Sequence, residues 1–428
     1  MSSTHWRPLI EGELIPRAED AVRAIADALA PRSLGADGDW SARLPVSVTT
    51  AQALFYGYLA RSAQADAGLY AERADQLLER SFELVASTPM PPILHGGFTG
   101  VAWTAEHFTR VLGDATQEPG ADDANEEVDE CLLTMLAAPY TGHYDLISGL
   151  AGFGVYALER ADRPVARRCL EAIVDRLHET AEVRGDVVTW FTPPELLPPR
   201  HREQHPRGHY NLGVAHGVPA VIGLLADVCR LEIRAERARP LLEGAVHWVL
   251  SQRLSDRRGA RYPASIAPEM EVRPSRLAWC YGDPGVAATL LYAARAVGVE
   301  EWARAALDIA VHAAGTAPED SGVQDVGLCH GAFGLAHLYN RIYQASGDER
   351  FATAARLWYQ QGLDMRRPER GIAGFESWEF GADGKLGWVS DRGLLTGAAG
   401  VGLALLAGLT SVEPQWDRLM MVAIPPRR

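Results

Sequence analysis

The sequence is short of positive charge: 41 Lys and Arg stand against 55 Asp and Glu over 428 residues, a net charge of −14, and no basic run extends beyond a few positions. Nucleic acids are held by clustered Lys and Arg, so no nucleic-acid partner is expected. Cysteine is sparse as well. Cys131, Cys169, Cys229, Cys280 and Cys329 are an odd number spread along a long chain, unlike the dense framework of a disulfide-stapled secreted domain. The start, Met1-Ser2-Ser3-Thr4-His5-Trp6, lacks the charged residues and apolar stretch of a signal peptide. A reducing cytoplasm with free thiols is the compartment these absences predict. One apolar run, Gly393 to Val412, has no charge over 20 residues and is long enough to cross a bilayer. It carries five glycines with Thr396 and Thr410, and it repeats a motif found elsewhere in less apolar settings. A buried core helix is therefore expected there.

What the chain does have is a 47% hydrophobic content, enough for a large core, and an internal repeat. Gly97-Phe98-Thr99-Gly100, Gly149-Leu150-Ala151-Gly152, Gly217-Val218-Pro219-Ala220, Gly282-Asp283-Pro284-Gly285, Gly331-Ala332-Phe333-Gly334 and Gly397-Ala398-Ala399-Gly400 each open an apolar run. The first glycines are spaced by 52, 68, 65, 49 and 66 residues, which suits a helix hairpin plus a variable loop. Between them lie amphipathic stretches, Asp123 to Leu136, Pro164 to Glu182, Ala235 to Leu254, Glu300 to Ala314 and Asp348 to Leu363, with apolar residues at three- and four-residue steps. Helices apolar all round form an inner ring and amphipathic ones an outer ring. The predicted fold is all-α, an α/α toroid of about seven hairpins forming one domain over residues 1–428, with Val48 to Arg61 as a seventh inner helix paired with Ala18 to Ala30. Residues 182–211 break the pattern with Val187-Val188-Thr189-Trp190-Phe191-Thr192 and five prolines, and read as an inserted segment of short strands and loops.

Two of the Gly motifs carry soft metal ligands. Cys280 lies just before Gly282, and Cys329-His330 just before Gly331, 49 residues further on. Cys280, Cys329 and His330 make three ligands for zinc, one short of a closed tetrahedral shell. Structural zinc sites fill all four positions, and catalytic sites keep one open. Two buried structural thiols and an unrelated histidine are the bland alternative. His95, at a similar place in another repeat, would close the shell and reads as a mouth-lining residue.

Together, Tyr144-Asp145-Leu146-Ile147-Ser148-Gly149, Asn211-Leu212-Gly213-Val214-Ala215-His216-Gly217, Arg276-Leu277-Ala278-Trp279-Cys280-Tyr281-Gly282 and Leu328-Cys329-His330-Gly331 resemble the lanthionine synthetase C-like cyclases over nearly the whole chain. The resemblance implies an α/α toroid with one zinc ion at its mouth, held at Cys280, Cys329 and His330. It implies an enzyme that adds precursor-peptide cysteine thiols to dehydroalanine or dehydrobutyrine, closing lanthionine rings. Histidine as third ligand is similar to the stand-alone cyclases, and the chain leaves no room for a dehydratase or kinase-like domain. The implied partners are a dehydrated precursor peptide, a dehydratase and an exporter, which would bring this cytoplasmic protein to the inner membrane face within a biosynthetic complex.

The same resemblance makes His216 and Asp145 the acid/base candidates, in an order the sequence leaves open, with helix capping as the alternative for Asp145. Arg276 is a candidate to hold Asp145 or the enolate oxygen, with a structural ion pair as the alternative. Tyr281 and Trp279 flank Cys280 and either pack the site or donate one hydrogen bond. Asp283 and Asp391 read as caps, and Trp378 and Trp388 as groove-lining or core residues. Ala220 departs from the Gly pattern, and the segment ending at Asn211 is too divergent to align. Three other classes compete. Zinc prenyltransferases use an Asp, Cys, His set with a basic pocket that is missing here; six-hairpin glycosidases need facing carboxylates, for which Asp145 and Asp283 would have to serve. A cyclase-like zinc protein that only binds thiols, such as glutathione or a peptide cysteine, is the non-enzymatic alternative.

Overall fold

In the computed structural model, which describes residues 6–30, 44–63, 65–113, 123, 125–254, 260–268, 270–381 and 384–425, each Gly motif leads into a buried helix. Residues 1–5, read above as lacking a signal peptide, lie outside the described ones, as does position 124 within the stretch read as Asp123 to Leu136. In chain order the long helices are α1 (Leu14–Leu29), α2 (Val46–Ser62), α3 (Ala67–Ser87), α4 (Phe98–His107), α5 (Glu126–Leu136), α6 (Leu150–Glu159) and α7 (Pro164–Thr180). After the short α8 (Pro199–Gln204) come α9 (Val218–Arg230), α10 (Ala235–Ser251), α11 (Asp283–Val297), α12 (Glu300–Ala314), α13 (Ala332–Ser346), α14 (Glu349–Asp364) and α15 (Ala398–Leu409). The inner ring is α2, α4, α6, α9, α11, α13 and α15: each touches the next, and α15 returns to α2. The fold is an α/α toroid.

Composition explains which helix lies where. Every residue of α15 from Ala398 to Gly408 is buried, and its small side chains admit close neighbours: a Cβ on Gly402 would lie 2.3 Å from the Phe55 ring of α2. In α7 the buried residues are Ala166, Cys169, Leu170, Ile173, Val174 and Leu177, one stripe at helical spacing, so this helix sits outside with one face covered. The uncharged run at the C-terminal end is thus a core helix, and no helix of the described residues is long and apolar enough to cross a membrane.

The inner helices start without side-chain caps. A helix leaves its first N–H groups without intrahelical partners, and here the preceding loop supplies the acceptors. Leu150, Ala151 and Gly152 donate to the carbonyls of His143, Tyr144 and Asp145 at 3.0, 3.1 and 3.2 Å, and Ala332, Phe333 and Gly334 donate likewise to Asp325, Val326 and Gly327. Folding the loop this tightly onto the helix start leaves no room for a side chain: a Cβ on Gly149 would stand 2.0 Å from the His143 oxygen.

The hairpin pairing differs from expectation at the chain's beginning. α2 packs chiefly on α3, the helix that follows it, and α1 packs on α15. Each inner helix is covered by its successor. The last has no successor, so the first helix of the chain covers it. Trp6 Nε1 donates to Ala407 O at 2.8 Å, and Leu9 and Ile10 donate to Gly408 O, which fastens the N-terminal segment to α15.

Chain leaving α15 turns into the middle of the inner ring as a 3-10 turn, Gln415–Met420, with Trp416, Asp417, Leu419 and Met420 buried. Asp417 accepts from Arg341 Nε at 2.6 Å and pairs with His337 Nε2 at 2.7 Å, both on α13, while Arg418 reaches Glu159 of α6 at 3.0 Å. Met420 O accepts from Trp279 Nε1 at 2.9 Å, below the turn that carries Cys280.

The segment 182–211 forms β1 (Glu182–Arg184), β2 (Val187–Thr189), β3 (Phe191–Thr192), α8 and β4 (His209–Asn211). β1 and β2 are a hairpin, and β4 lies between β3 and β5 (Ser265–Ile266), all antiparallel. A further hairpin, β6 (Ser377–Phe380) with β7 (Leu386–Val389), precedes α15.

Gly149→Ala should cost about 3 kcal/mol in urea unfolding, because the methyl collides with the backbone of His143 and Asp145 in the preceding loop. Gly68→Ala, in an open exposed part of α3, should be neutral or stabilising by about 0.5 kcal/mol. Equal effects at the two positions would contradict this account of the turns.

Candidate metal centre

The turns that start the inner helices are joined to one another at the mouth of the toroid. Two places before the first glycine stand His95, Ile147, Ala215, Cys280, Cys329 and Leu395. His95 N donates to Ile147 O at 3.3 Å, Cys280 N to Cys329 O at 3.1 Å and Cys329 N to Leu395 O at 2.7 Å; Leu146 N, one place earlier, donates to Ala215 O at 3.2 Å. Corresponding residues of successive turns therefore lie side by side. Cys280 and Cys329 hold the same place in adjacent turns, and His330 and His216 hold the next place along.

One donor atom from each of Cys280, Cys329 and His330 lies within 4.8 Å of the other two, a grouping able to hold a metal ion. His330 fits that role. Its Nε2 lies 3.3 Å from Asp325 Oδ2, and its Nδ1 is buried with no hydrogen-bond partner. A carboxylate behind a ligand histidine fixes the ring and leaves the other nitrogen for the metal. Asp325 is itself held, its Oδ1 accepting from Gly327 N at 3.1 Å and its Oδ2 from Trp378 N at 3.0 Å.

Charge at the site has the right sign for a cation. The neighbouring Cys329 thiol, with His330 and Arg276, holds the Cys280 thiol well below its ordinary pKa, while Cys280 and burial push Cys329 up. Burial lowers the His330 imidazole, but Asp325 and Cys280 outweigh it and carry it up to about 9. A proton thus sits where a metal ion would bring positive charge. Arg276 Nη2 stands 4.0 Å from Cys280 Sγ. Its guanidinium lies by the metal group and not at Asp145, whose oxygens are taken by other residues.

Asp145 is buried and His216 half-exposed, and His216 Nδ1 pairs with Asp145 Oδ2 at 2.6 Å. The other carboxylate oxygen, Oδ1, accepts from Ser148 N at 2.8 Å and Ser148 Oγ at 3.1 Å. Burial raises the Asp145 carboxyl, and His216 and Ser148 more than offset it and hold it below the usual carboxylate range. An ionised Asp145 must accept, so Nδ1 carries a proton, which in the neutral ring leaves Nε2 as the acceptor. Tyr281 joins the two groups. It follows Cys280 in the chain, its hydroxyl accepts from Asn211 Nδ2 at 3.3 Å, and burial raises its pKa so that it stays a neutral phenol. Gly213, in the His216 turn, lies so close to the Cys280 turn that a Cβ there would be 2.2 Å from Cys280 O.

A model of lanthionine synthetase C-like proteins matches residues 49–421. The chain belongs to the lanthionine synthetase C-like family. Among solved structures it is similar to nisin cyclase at a TM-score of 0.72 and 18% identity, over 96% of this chain and 98% of that one, a likeness of fold. A sugar epimerase from a ruminal bacterium aligns more loosely, at a TM-score of 0.48 and 9% identity over 92% of this chain and 98% of that one.

The remaining sequence candidates fall outside the metal group. His95 is half-buried, its Nε2 pairs with Leu419 O at 3.2 Å, and desolvation of its ring lowers its pKa to about 4. Asp283 does not face Asp145 across the mouth; it accepts from Arg261 N and Tyr262 N and anchors that loop. Asp391 accepts from Gly393 N at 2.8 Å and Thr396 Oγ1 at 2.5 Å. Trp279 is core, and the five cysteines are all free thiols. Asp325 was the residue the motifs did not single out. Its signal is positional: Asn211, Asp325 and Asp391 each stand six places before the first glycine, and each accepts from the backbone N–H two places on.

Because the folded Asp145 pKa lies below its unfolded value, the stability it contributes is present above about pH 4 and is lost as pH falls through the folded value. Urea melts between about pH 4 and pH 2 should therefore show Asp145→Asn losing less stability than the parent. Parallel losses would contradict the reading of Asp145 as an ionised, buried partner of His216.

Proposed function

We propose that this protein is a zinc-dependent peptide cyclase that adds cysteine thiols to dehydroalanine or dehydrobutyrine in a dehydrated precursor peptide, forming thioether rings. The observation that carries this is the meeting, in adjoining turns of one mouth, of a three-ligand Cys, Cys, His group with a histidine–aspartate pair. Cys280, Cys329 and His330 through Nδ1 would hold the ion. Donor atoms that all lie within 4.8 Å of one another fit a tetrahedral zinc, whose ligand atoms stand about 3.5–4 Å apart. Bound zinc supplies a thiolate nucleophile at neutral pH, where a free thiol with pKa near ~8.5 is mostly protonated.

The chain's own residues handle the proton and the developing charge. Addition forms a carbon–sulfur bond at the alkene β-carbon, moves the π electrons onto the neighbouring carbonyl oxygen and needs a proton at the α-carbon. The thiol releases one proton and the α-carbon takes one, so the reaction is proton-neutral. His216 Nε2 is the group that moves it, with Asp145 fixing the tautomer and stabilising the imidazolium. Tyr281, the neighbour of Cys280 and a neutral phenol, is the donor to the enolate oxygen in this reading. Arg276 beside Cys280 offsets the negative charge of two thiolates and a bound substrate sulfur.

Cys280→Ala and Cys329→Ala should each lose zinc and ring closure together, by metal analysis and by counting free thiols in a dehydrated peptide. His216→Asn should keep one zinc per chain and slow turnover by about 10²–10⁴-fold. Metal loss in that variant would contradict the assignment, and unchanged thiols with zinc-loaded parent protein would favour thiol binding without cyclisation. Asp325→Asn should weaken zinc about 10–100-fold in a chelator competition, with no change pointing to a different orienting group.

A further inference from the structure

The β6–β7 hairpin lies against the metal turn by one face. Trp378 N donates to Asp325 Oδ2, behind His330, and Ser377 Oγ donates to Thr396 O at 2.5 Å. Glu379, on the Ser377 face of the strand, is near enough to His330 for their charges to attract. Pairing of Trp378 with Trp388 and of Phe380 with Leu386 puts these four side chains together on the opposite face. That face is apolar and half in water: Phe380, Leu386 and Trp388 are 48%, 49% and 50% exposed. The two indoles are in edge contact, centroids 5.2 Å apart.

The patch does not end at the hairpin. Arg200 of α8 places its guanidinium 3.6 Å over the Phe380 ring, and the next residue, His201, is close enough to His216 for the two imidazoles to repel. Hairpin and α8 together run from the carboxylate behind His330 to the neighbourhood of the His216–Asp145 pair. Apolar surface concentrated like this marks a binding site, and this one borders the turn behind His330 and, through Arg200 and His201 of α8, the approach to His216, within reach of residues that flank a cysteine held at the metal group.

We propose that the face formed by Trp378, Trp388, Phe380 and Leu386 is a specificity subsite that takes apolar side chains flanking the reacting cysteine of the substrate peptide. The identity of the occupant rests on the thiol-addition reading above. Peptides with Leu or Phe next to cysteine should be preferred, and those with small polar neighbours disfavoured, because each apolar side chain that enters leaves water.

The test uses the full zinc-loaded chain and two short synthetic peptides that each carry one cysteine and one dehydroalanine, flanked by Leu and Phe in one and by Ser in the other. Dye-labelled copies with the cysteine replaced by serine report binding by anisotropy without ring closure. The parent should bind the apolar peptide about tenfold more tightly. Leu386→Ser and Trp388→Ser, both at half-exposed positions, should each erase most of that preference while zinc content stays at the parent value. Equal binding of the two peptides by the parent, or a preference retained in both variants, overturns the subsite. So does self-association of the parent that both variants abolish, which would give the face to a second copy of the chain. Selective binding without thiol loss in the reactive peptides upholds the subsite and sinks the cyclase reading instead.

Discussion

Trp279 N and Cys280 N both donate to the carbonyl of Cys329 at 3.1 Å, and Cys329 N donates onward to Leu395 O. These bonds set the spacing of the two thiols, because they tie corresponding positions of neighbouring turns before any side chain is considered. The turns can approach this closely only where glycine stands. A Cβ on Gly331 would lie 2.1 Å from Gly327 N, and Gly282, at φ +98°, has a conformation that other residues resist as well as the Arg276 carbonyl 2.1 Å from where a side chain would begin. Glycine at the helix start, backbone pairing between turns and convergence of the sulfurs form one causal chain.

Beneath the mouth, the C-terminal turn acts as the floor. Met420 O receives the Trp279 indole N–H and Leu419 O pairs with His95, while Asp417 is clasped by Arg341 and His337 in full burial. A buried charge is tolerated only when it is paired, and breaking one partner leaves the other stranded. The plug is therefore held in one position by α13 and holds the ligand-bearing turn above it in turn.

Much of this was legible because the inner helices repeat a local signal. Five Gly pairs and the single Gly217 before apolar runs mark six of the inner helix starts, and the ligand cysteines stand at matching places in two of them. Other parts follow from tertiary closure and leave no local trace. α3 buries only Ala74, Leu77 and Ser81 while Leu69 and Phe82 stay exposed, so its stripe is too thin to read. The pairing of α1 with α15 depends on how the ring ends meet, which no window of sequence contains. Asp325 looks like any loop aspartate until the fold sets its carboxylate against His330, and of the partners the sequence allowed Arg276, Asp145 is not the one beside it: its guanidinium lies by Cys280.

The site joins a group suited to hold a thiolate with a histidine suited to move its proton, and in the proposed function a fourth position left open on a bound ion would link the two. X-ray absorption at the zinc edge of the metal-loaded protein, with and without a cysteine peptide, addresses that position directly. The expected first shell is two sulfurs at about 2.3 Å, one imidazole nitrogen and one light atom, changing to three sulfurs when the peptide is added. Four protein ligands in the free state, or a shell that stays the same with peptide present, would contradict the account.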